Sequence, residues 1–120
     1  MASKQPSPEE LLPLTPAVFH ILLALAGEER HGYSIMQFVA EATDGRIKLG
    51  PGTLYGTIKR LLSAKMIEET AERPDPKMDD PRRRYYRLMP FGRRVLEAEV
   101  MRYSDILKAA RARGVVAKPA

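Results

Sequence analysis

The chain of 120 residues contains no cysteine, which excludes disulfides and thiolate metal sites. The absence suits a reducing compartment, and we expect the protein to be cytoplasmic. Two histidines are present, His20 and His31, and no second histidine, cysteine or carboxylate lies at ligand spacing around His20. An isolated histidine such as His31 is a poor candidate for catalysis. We therefore expect no metal site and no cofactor.

Long apolar runs and catalytic motifs are also missing. The longest mostly apolar run, Ala17 to Ala26, is ten residues and too short to cross a bilayer. The first residues lack the apolar core of a secretory signal. The sequence has no Gly-Lys-Ser/Thr phosphate loop and no paired carboxylates in an apolar setting. These absences predict a protein that is neither an enzyme nor membrane-bound.

Positive charge is abundant and unevenly placed. The net charge is +5, yet residues 15–45 hold four acids and one arginine. Residues 46–65 hold five lysines or arginines and no acid, and residues 91–120 hold seven bases against three acids. A basic middle and a basic C-terminal part favour a polyanionic partner, most often nucleic acid.

The basic middle contains an amphipathic helix, within Gly50–Glu69. Leu54, Ile58, Leu61 and Leu62 recur at helical spacing and predict a buried face. The opposite face carries Thr53, Tyr55, Thr57, Lys59, Arg60 and Ser63. Such a helix can enter a DNA major groove and contact phosphates. The alternative is an ordinary amphipathic helix whose basic face is only solvated.

Two further helices are predicted before this amphipathic helix, and a short strand is predicted between the second and third helices. The first helix spans Pro16–Ala26, is capped by Thr15, and is apolar almost all round. The second spans Gly32–Thr43, and His31 can cap it. The buried stripe of this second helix is predicted to be Ile35, Phe38, Val39 and Ala42. Residues 46–49 alternate polar and apolar side chains, which permits one short strand. Thr53, or a residue just before it, is the expected cap of the third helix.

A hairpin and a long helix are predicted after the third helix. Residues 66–70 and 82–88 are strand-like and flank a proline-rich charged loop, so they predict a hairpin with a projecting tip. Of the adjacent Tyr85 and Tyr86, one is expected in the core. The last helix follows Pro90 and ends near Arg113. Its apolar stripe consists of Leu96, Val100, Tyr103, Leu107 and Ala110.

This order of elements predicts a mainly α fold with a small β-hairpin: a winged helix-turn-helix domain with an added C-terminal dimerisation helix. We expect a flexible arm over residues 1–13, whose Leu11 and Leu12 can dock on the body of the protein. The winged-helix domain is expected over 14–90, the dimerisation helix over 91–113 and a tail over 114–120. In such a domain the third helix reads the major groove and the hairpin, or wing, lies against phosphates.

The chain resembles the PadR family of bacterial transcriptional regulators over roughly residues 14–100. The matching segments are Leu14–Pro16 (LTP), His31–Ile35 (HGYSI), Gly52–Tyr55 (GTLY) with Ile58–Leu61 (IKRL), Met66–Ile67, and Arg84–Leu88 (RYYRL) with Gly92–Arg93. The resemblance implies a homodimeric regulator, usually a repressor, that binds a palindromic operator. It also implies a response to small aromatic or amphipathic molecules, with Phe19 and Tyr103 as candidate effector contacts.

Candidate site residues follow from the pattern and the resemblance together. The DNA-binding candidates are Thr53, Tyr55, Thr57, Lys59, Arg60, Arg82, Arg83 and Arg84, and the dimerisation candidates are Leu96, Val100, Tyr103 and Leu107. Tyr55 could instead pack against the second helix, Arg60 could cover the protein body, and the three arginines could form a solvated strand edge. The alternative function is a winged-helix interaction module whose basic helix binds an acidic protein surface.

Overall fold

The computed structural model describes residues 5–71 and 83–116 of the chain. A short 3-10 helix, Pro8–Leu11, precedes seven elements. They are α1 (Pro16–Gly27), β1 (Arg30–His31), α2 (Gly32–Ala42), α3 (Pro51–Ser63), β2 (Ile67–Thr70), β3 (Tyr85–Leu88) and α4 (Pro90–Ala112). The predicted tip of the hairpin, Arg82 and the final four residues lie outside the described residues. In the part that is described, no helix is both long and apolar enough to cross a membrane.

The first two helices begin as their sequence predicts. The Val18 backbone N–H donates to Thr15 Oγ1 over 3.2 Å, and Pro16 occupies the first helical position, where a missing N–H costs nothing. The His31 ring caps α2, because its Nδ1 accepts the Ser34 N–H over 3.2 Å. Both predicted caps are therefore confirmed.

The connection from α2 to α3 differs from the prediction. Residues 46–49 form no strand; a turn over residues 43–45 ends α2, and the Thr43 side chain holds the chain that follows it. Its hydroxyl donates to Val39 O over 2.8 Å and accepts the Ile47 N–H over 3.0 Å. The expected cap at Thr53 is wrong as well. The capping position is Gly50, whose carbonyl accepts the Leu54 N–H over 2.9 Å, and no side chain takes part.

The described strands form one antiparallel sheet in the order β1-β3-β2. The predicted pairing of β2 with β3 is confirmed, with Ile67 opposite Leu88. The two-residue strand β1 was not predicted; it pairs Arg30 with Tyr86. Because β3 is central and His31 covers its second face, Tyr85 and Tyr86 are both buried, at 5% and 4% exposure. Tyr86 belongs to the hydrophobic core, as expected for one of the pair, while Tyr85 is buried against the His31 ring.

One hydrophobic core joins the helices to the sheet. Its fully buried side chains include Ile21, Leu22, Ile35, Val39, Leu54, Ile58, Ile67 and Val95. The stripe predicted on α2 is too wide, because Ala42 is exposed and Phe38 only half-buried. The first part of α4 belongs to this same core through Phe91, Val95 and Leu96. The predicted boundary between residues 90 and 91 therefore does not separate two cores.

Residues 5–14 are attached to the body of the protein, and the expected docking of Leu11 and Leu12 is confirmed. Leu11 and Leu12 pack against the core, and Pro8–Leu11 contacts α4. The Leu14 N–H donates to Glu99 Oε2 over 2.7 Å, and Arg102 Nε donates to Glu99 Oε1 over 2.5 Å. Glu99 is fully buried. The Arg102 hydrogen bond lowers the pKa of Glu99 more than burial raises it, so this carboxylate is charged.

Candidate nucleic-acid interface

Helix α3 has the predicted two faces. Leu54, Ile58 and Leu61 are buried against the core. Thr53, Tyr55, Lys59 and Arg60 are exposed on the other side. With no acid between residues 46 and 65, this face presents a positive surface of two helical turns to solvent.

Thr57 is not part of that surface. It is 1% exposed, and its hydroxyl donates to Thr53 O over 2.7 Å. The same hydroxyl accepts from Arg60 Nη2 over 3.2 Å. The prediction that Thr57 contacts DNA is therefore wrong, because its side chain is buried by the rest of the domain beside Ile58. Arg60 is exposed, but its hydrogen bond to Thr57 holds it partly against the protein body. This agrees with the alternative that Arg60 covers the body.

Tyr55 combines the two roles that the sequence left open. Its side chain is 50% exposed, yet its ring lies directly over Gly32 at the start of α2. A Cβ atom on Gly32 would lie 2.8 Å from Tyr55 Cζ and closer still to the hydroxyl oxygen. Glycine at position 32 thus makes room for the ring. The contact fixes the direction in which the Tyr55 hydroxyl points.

The two residues that immediately precede strand β3 are arginines, and they lie on the same side of the domain as Tyr55. Arg83 and Arg84 are exposed. Arg84 Nη1 donates to Glu69 Oε1 over 3.1 Å, and Arg83 Nη1 lies 3.2 Å from His31 Nε2. A solvent-exposed ion pair such as that of Arg84 contributes little to stability, so it can exchange for another anion at small cost.

These elements together form a groove of about 480 Å³. It is lined by His31, Gly32, Tyr33, Tyr55, Arg83, Arg84 and Tyr86. Burial is the main cause that raises the pKa of Tyr86, followed by the nearby Glu69, so its phenol stays neutral and can donate. The groove joins the start of α2, the exposed face of α3 and the root of the wing, and we call it the wing-root groove.

Sequence reasoning missed His31 and Tyr33 as members of this groove. Tyr33 is 56% exposed, and His31 reaches the wing because β1 pairs with β3. A two-residue strand carries no periodicity, so no local signal indicates that pairing. The sequence does show that Tyr33 lies outside the predicted apolar stripe of α2 and two positions after a candidate capping histidine. That was the available signal.

The second half of α4 exposes an apolar surface. Val100, Tyr103, Ile106 and Leu107 are 47%, 38%, 51% and 39% exposed. Leu96, by contrast, is 5% exposed inside its own subunit, so its place among the dimerisation candidates is wrong. Phe19 and Tyr103 meet edge to face within one chain, with ring centroids 5.0 Å apart. We call the four exposed residues the α4 surface.

Helices α2 and α3 are joined by a turn and followed by a wing, and α3 exposes a basic face. These features define a winged helix-turn-helix protein of the DNA-binding class. Among residues 5–71 and 83–116, no group of three or more acidic or histidine side chains is placed to hold a metal ion.

The comparisons with known proteins agree with this class. The model of the transcriptional regulator PadR-like family matches residues 21–98. An uncharacterised 37.1 kDa protein of transposon TN4556 from Streptomyces fradiae is 35% identical over 79 residues, which cover 66% of this chain and 20% of that protein. The chain thus spans about a fifth of that relative's length.

Solved structures share the fold. A PadR family transcription regulator from a hypervirulent Clostridium difficile superposes with a TM-score of 0.66 at 23% identity, covering 82% of this chain and 97% of the other. A transcriptional regulator from Streptococcus gives a TM-score of 0.63 at 25% identity, covering 79% and 88%. The chain belongs to the PadR-like family. The members of this family are transcription regulators.

Proposed function

We propose that this protein is a homodimeric repressor that binds a palindromic operator through α3 and the wing root. The observation that supports DNA docking most strongly is the wing-root groove, where Tyr55 from the exposed face of α3 and two arginines at the root of the wing line one surface. Thr53 and Lys59 would reach the base edges of the major groove, while Arg83 and Arg84 would contact the flanking phosphates. Tyr55, fixed over Gly32, would contribute a hydroxyl at the boundary between the two.

The α4 surface is the proposed dimer contact. Its four apolar side chains lie on a helix that projects past the core, and an exposed apolar strip is a hazard for a single subunit in water. Fully burying an exposed side chain of this kind contributes about 1.5–3 kcal/mol, and these four are 38–51% exposed, so about half of that remains for each. A two-fold axis uses each one twice. That sum can exceed an association cost of roughly 4–15 kcal/mol. A two-fold axis also relates two α3 helices, so the operator would be an inverted repeat.

Selection of bound sites from a random duplex pool tests the proposal. The expected result is an inverted repeat with half-site centres about one helical turn apart. Affinity should fall steeply with salt while a sequence preference remains. Selected sites without dyad symmetry would contradict the proposed dimeric docking. Loss of all sequence preference, with tight binding to an acidic protein surface instead, would favour the interaction-module alternative.

The repressor assignment is carried over from the family resemblance and is tested separately. Transcription from a template with the selected site placed over the promoter should decrease as protein is added. A template with a scrambled site is the control and should be unaffected. An increase in transcription from the selected-site template would make the protein an activator instead.

Release by a small-molecule effector is also proposed, with Phe19 and Tyr103 as its aromatic contacts. Phe19 belongs to the core of its own chain and Tyr103 packs over its ring, so the exposed contact for an effector would be Tyr103, with Phe19 behind it. A flat aromatic or cationic amphipathic compound that binds there should raise the melting temperature and weaken operator binding. A broad screen with no thermal shift would argue against an effector site in this member of the family.

A further inference from the structure

Glu99 attaches α4 to the start of α1 at the point where α4 leaves the core. The Leu14 N–H donates to Oε2 of this buried carboxylate over 2.7 Å, and Arg102 donates to both of its oxygens. The Arg102 guanidinium lies over the Tyr103 ring, 5.1 Å from its centroid, and that ring packs on Phe19 of α1. We call these five residues the α4 clamp, because they fasten one turn of α4 to the start of α1.

Beyond the clamp, α4 has little support within its own chain. All four residues of the α4 surface follow Glu99 in the sequence, and every residue over 104–109 is exposed. The direction in which this half of the helix projects is therefore set at the clamp. Charge-assisted hydrogen bonds are directional, whereas apolar contacts are not, so the buried carboxylate fixes an angle that packing alone would leave loose.

We propose that the α4 clamp sets the spacing between half-sites that the dimer accepts, with Glu99 as the positioning residue. This inference rests on the proposed function, in which the α4 surface joins two subunits. Leu107 lies about 12 Å along the helix from Glu99, so a tilt of about 10° at the clamp moves it by about 2 Å relative to the domain. A two-fold axis repeats the tilt in the other subunit. The combined displacement is close to the rise of duplex DNA, about 3.4 Å per base pair.

The clamp lies apart from the proposed DNA-facing surface. The described lining of the wing-root groove includes none of its five residues, and none of them belongs to α3. A change in the clamp should therefore leave the affinity for a single half-site unchanged. It should alter only how well two half-sites at a given separation are bound together.

Three variants separate spacing from stability. Glu99→Gln removes the buried charge at constant size, and Arg102→Met leaves the carboxylate buried without its main donor, so each should lower stability. The double variant removes both charges and should be more stable than either single variant, because no buried charge remains uncompensated. Its contact is no longer directional, so the spacing should stay relaxed. Glu97→Gln makes the same change of charge at an exposed position of α4 and is the control.

The measurement uses duplexes that carry the selected inverted repeat with the selected spacer, or with a spacer one or two base pairs shorter or longer. A change of one base pair should raise Kd about tenfold for the wild type and Glu97→Gln, the usual cost of one wrong pair, but only about twofold for the double variant. Duplexes with a single half-site should give the same Kd for all proteins. Sedimentation should show a dimer for each of them.

The outcomes distinguish this inference from the function beneath it. A double variant that discriminates between spacers as sharply as the wild type would overturn the positioning role of Glu99. Loss of the dimer or of half-site affinity would overturn it too, because the clamp would then act on assembly or folding. If the wild type binds no inverted repeat, the proposed function fails and the clamp inference fails with it. If the wild type binds an inverted repeat at every spacer length equally well, only the clamp inference is wrong.

Discussion

At the scale of single residues, position 32 links the packing of the domain to its DNA-facing surface. Gly32 opens α2 and is covered by the Tyr55 ring, so the orientation of an exposed side chain depends on a missing Cβ one helix away. The proposed DNA contact of Tyr55 can therefore be tested by a substitution at position 32, with Tyr55 itself unchanged.

Gly32→Ala should therefore displace the Tyr55 ring while costing little stability, because the ring is half exposed and its far end can move. We expect operator affinity to fall about tenfold, the usual cost of losing one hydrogen bond to a charged group. Binding titrations and thermal melts measure the two effects. Gly27→Ala, where nothing lies within 4 Å of the new Cβ, is the matched control. Unchanged affinity in Gly32→Ala would remove Tyr55 from the interface.

Glu99 is the second residue whose environment makes a prediction. Its pKa lies below the ordinary 4.5 mainly because Arg102 donates to it, so the unfolded chain takes up the proton first as the pH falls. The stabilisation is therefore complete above pH 4.5 and is lost as the pH falls further, through the folded-state pKa.

Glu99→Gln should lower the free energy of unfolding at neutral pH by about 1–3 kcal/mol, and it should flatten the loss of stability below pH 4.5. Urea titrations at several pH values measure both effects. The exposed neighbour Glu97, changed to glutamine, should keep the wild-type pH profile. An acid dependence that survives in Glu99→Gln would have to arise from other carboxylates.

At the scale of elements, α4 is joined to the rest of the domain where its first turn crosses the start of the wing. Gly92 lies directly against the Met66 carbonyl, which also accepts the Met89 N–H over 2.9 Å. A Cβ at position 92 would collide with that carbonyl oxygen and lie 2.8 Å from the Met66 carbonyl carbon. Both atoms belong to the backbone, so neither can move cheaply.

Gly92→Ala should destabilise the protein by about 2 kcal/mol or more, since overpacking against backbone outweighs the roughly 1 kcal/mol that alanine gains in a helix. Gly56→Ala offers the opposite case within α3, where nothing lies within 4 Å of the new Cβ. That variant should be up to about 1 kcal/mol more stable than the wild type. Chemical denaturation of the two variants measures both changes in the free energy of unfolding. Equal stabilities would mean that α4 can shift on the wing.

At the scale of the whole molecule, the second half of α4 is the proposed contact between subunits. Leu107 is 39% exposed in the single chain and contributes little to the core of its own subunit. A change there should alter assembly with small effect on folding.

Leu107→Glu should raise the dimer dissociation constant about a hundredfold or more, because a two-fold interface buries the new charge twice. Sedimentation over a range of concentrations measures this. Lys108→Glu changes charge at the adjacent exposed position, on another side of the helix, and should stay dimeric. A dimer that survives Leu107→Glu would place the interface elsewhere, with α1 as the first candidate.

The sequence by itself was sufficient for the elements that are long and periodic. The two faces of α3, the caps at Thr15 and His31, and the pairing of β2 with β3 all follow from local spacing, because a helix or hairpin of that length repeats its signal several times. The basic surface was equally visible, since charge can be counted without a fold.

Tertiary structure alone decided features that depend on contacts between distant segments. Thr57 faces inward because of its neighbours in space, and Tyr85 and Tyr86 are both buried because β1 makes β3 a central strand. Glu99 is a core carboxylate because Leu14 and Arg102 donate to it. The wing-root groove likewise assembles residues more than fifty positions apart, and a linear pattern carries no record of such approaches.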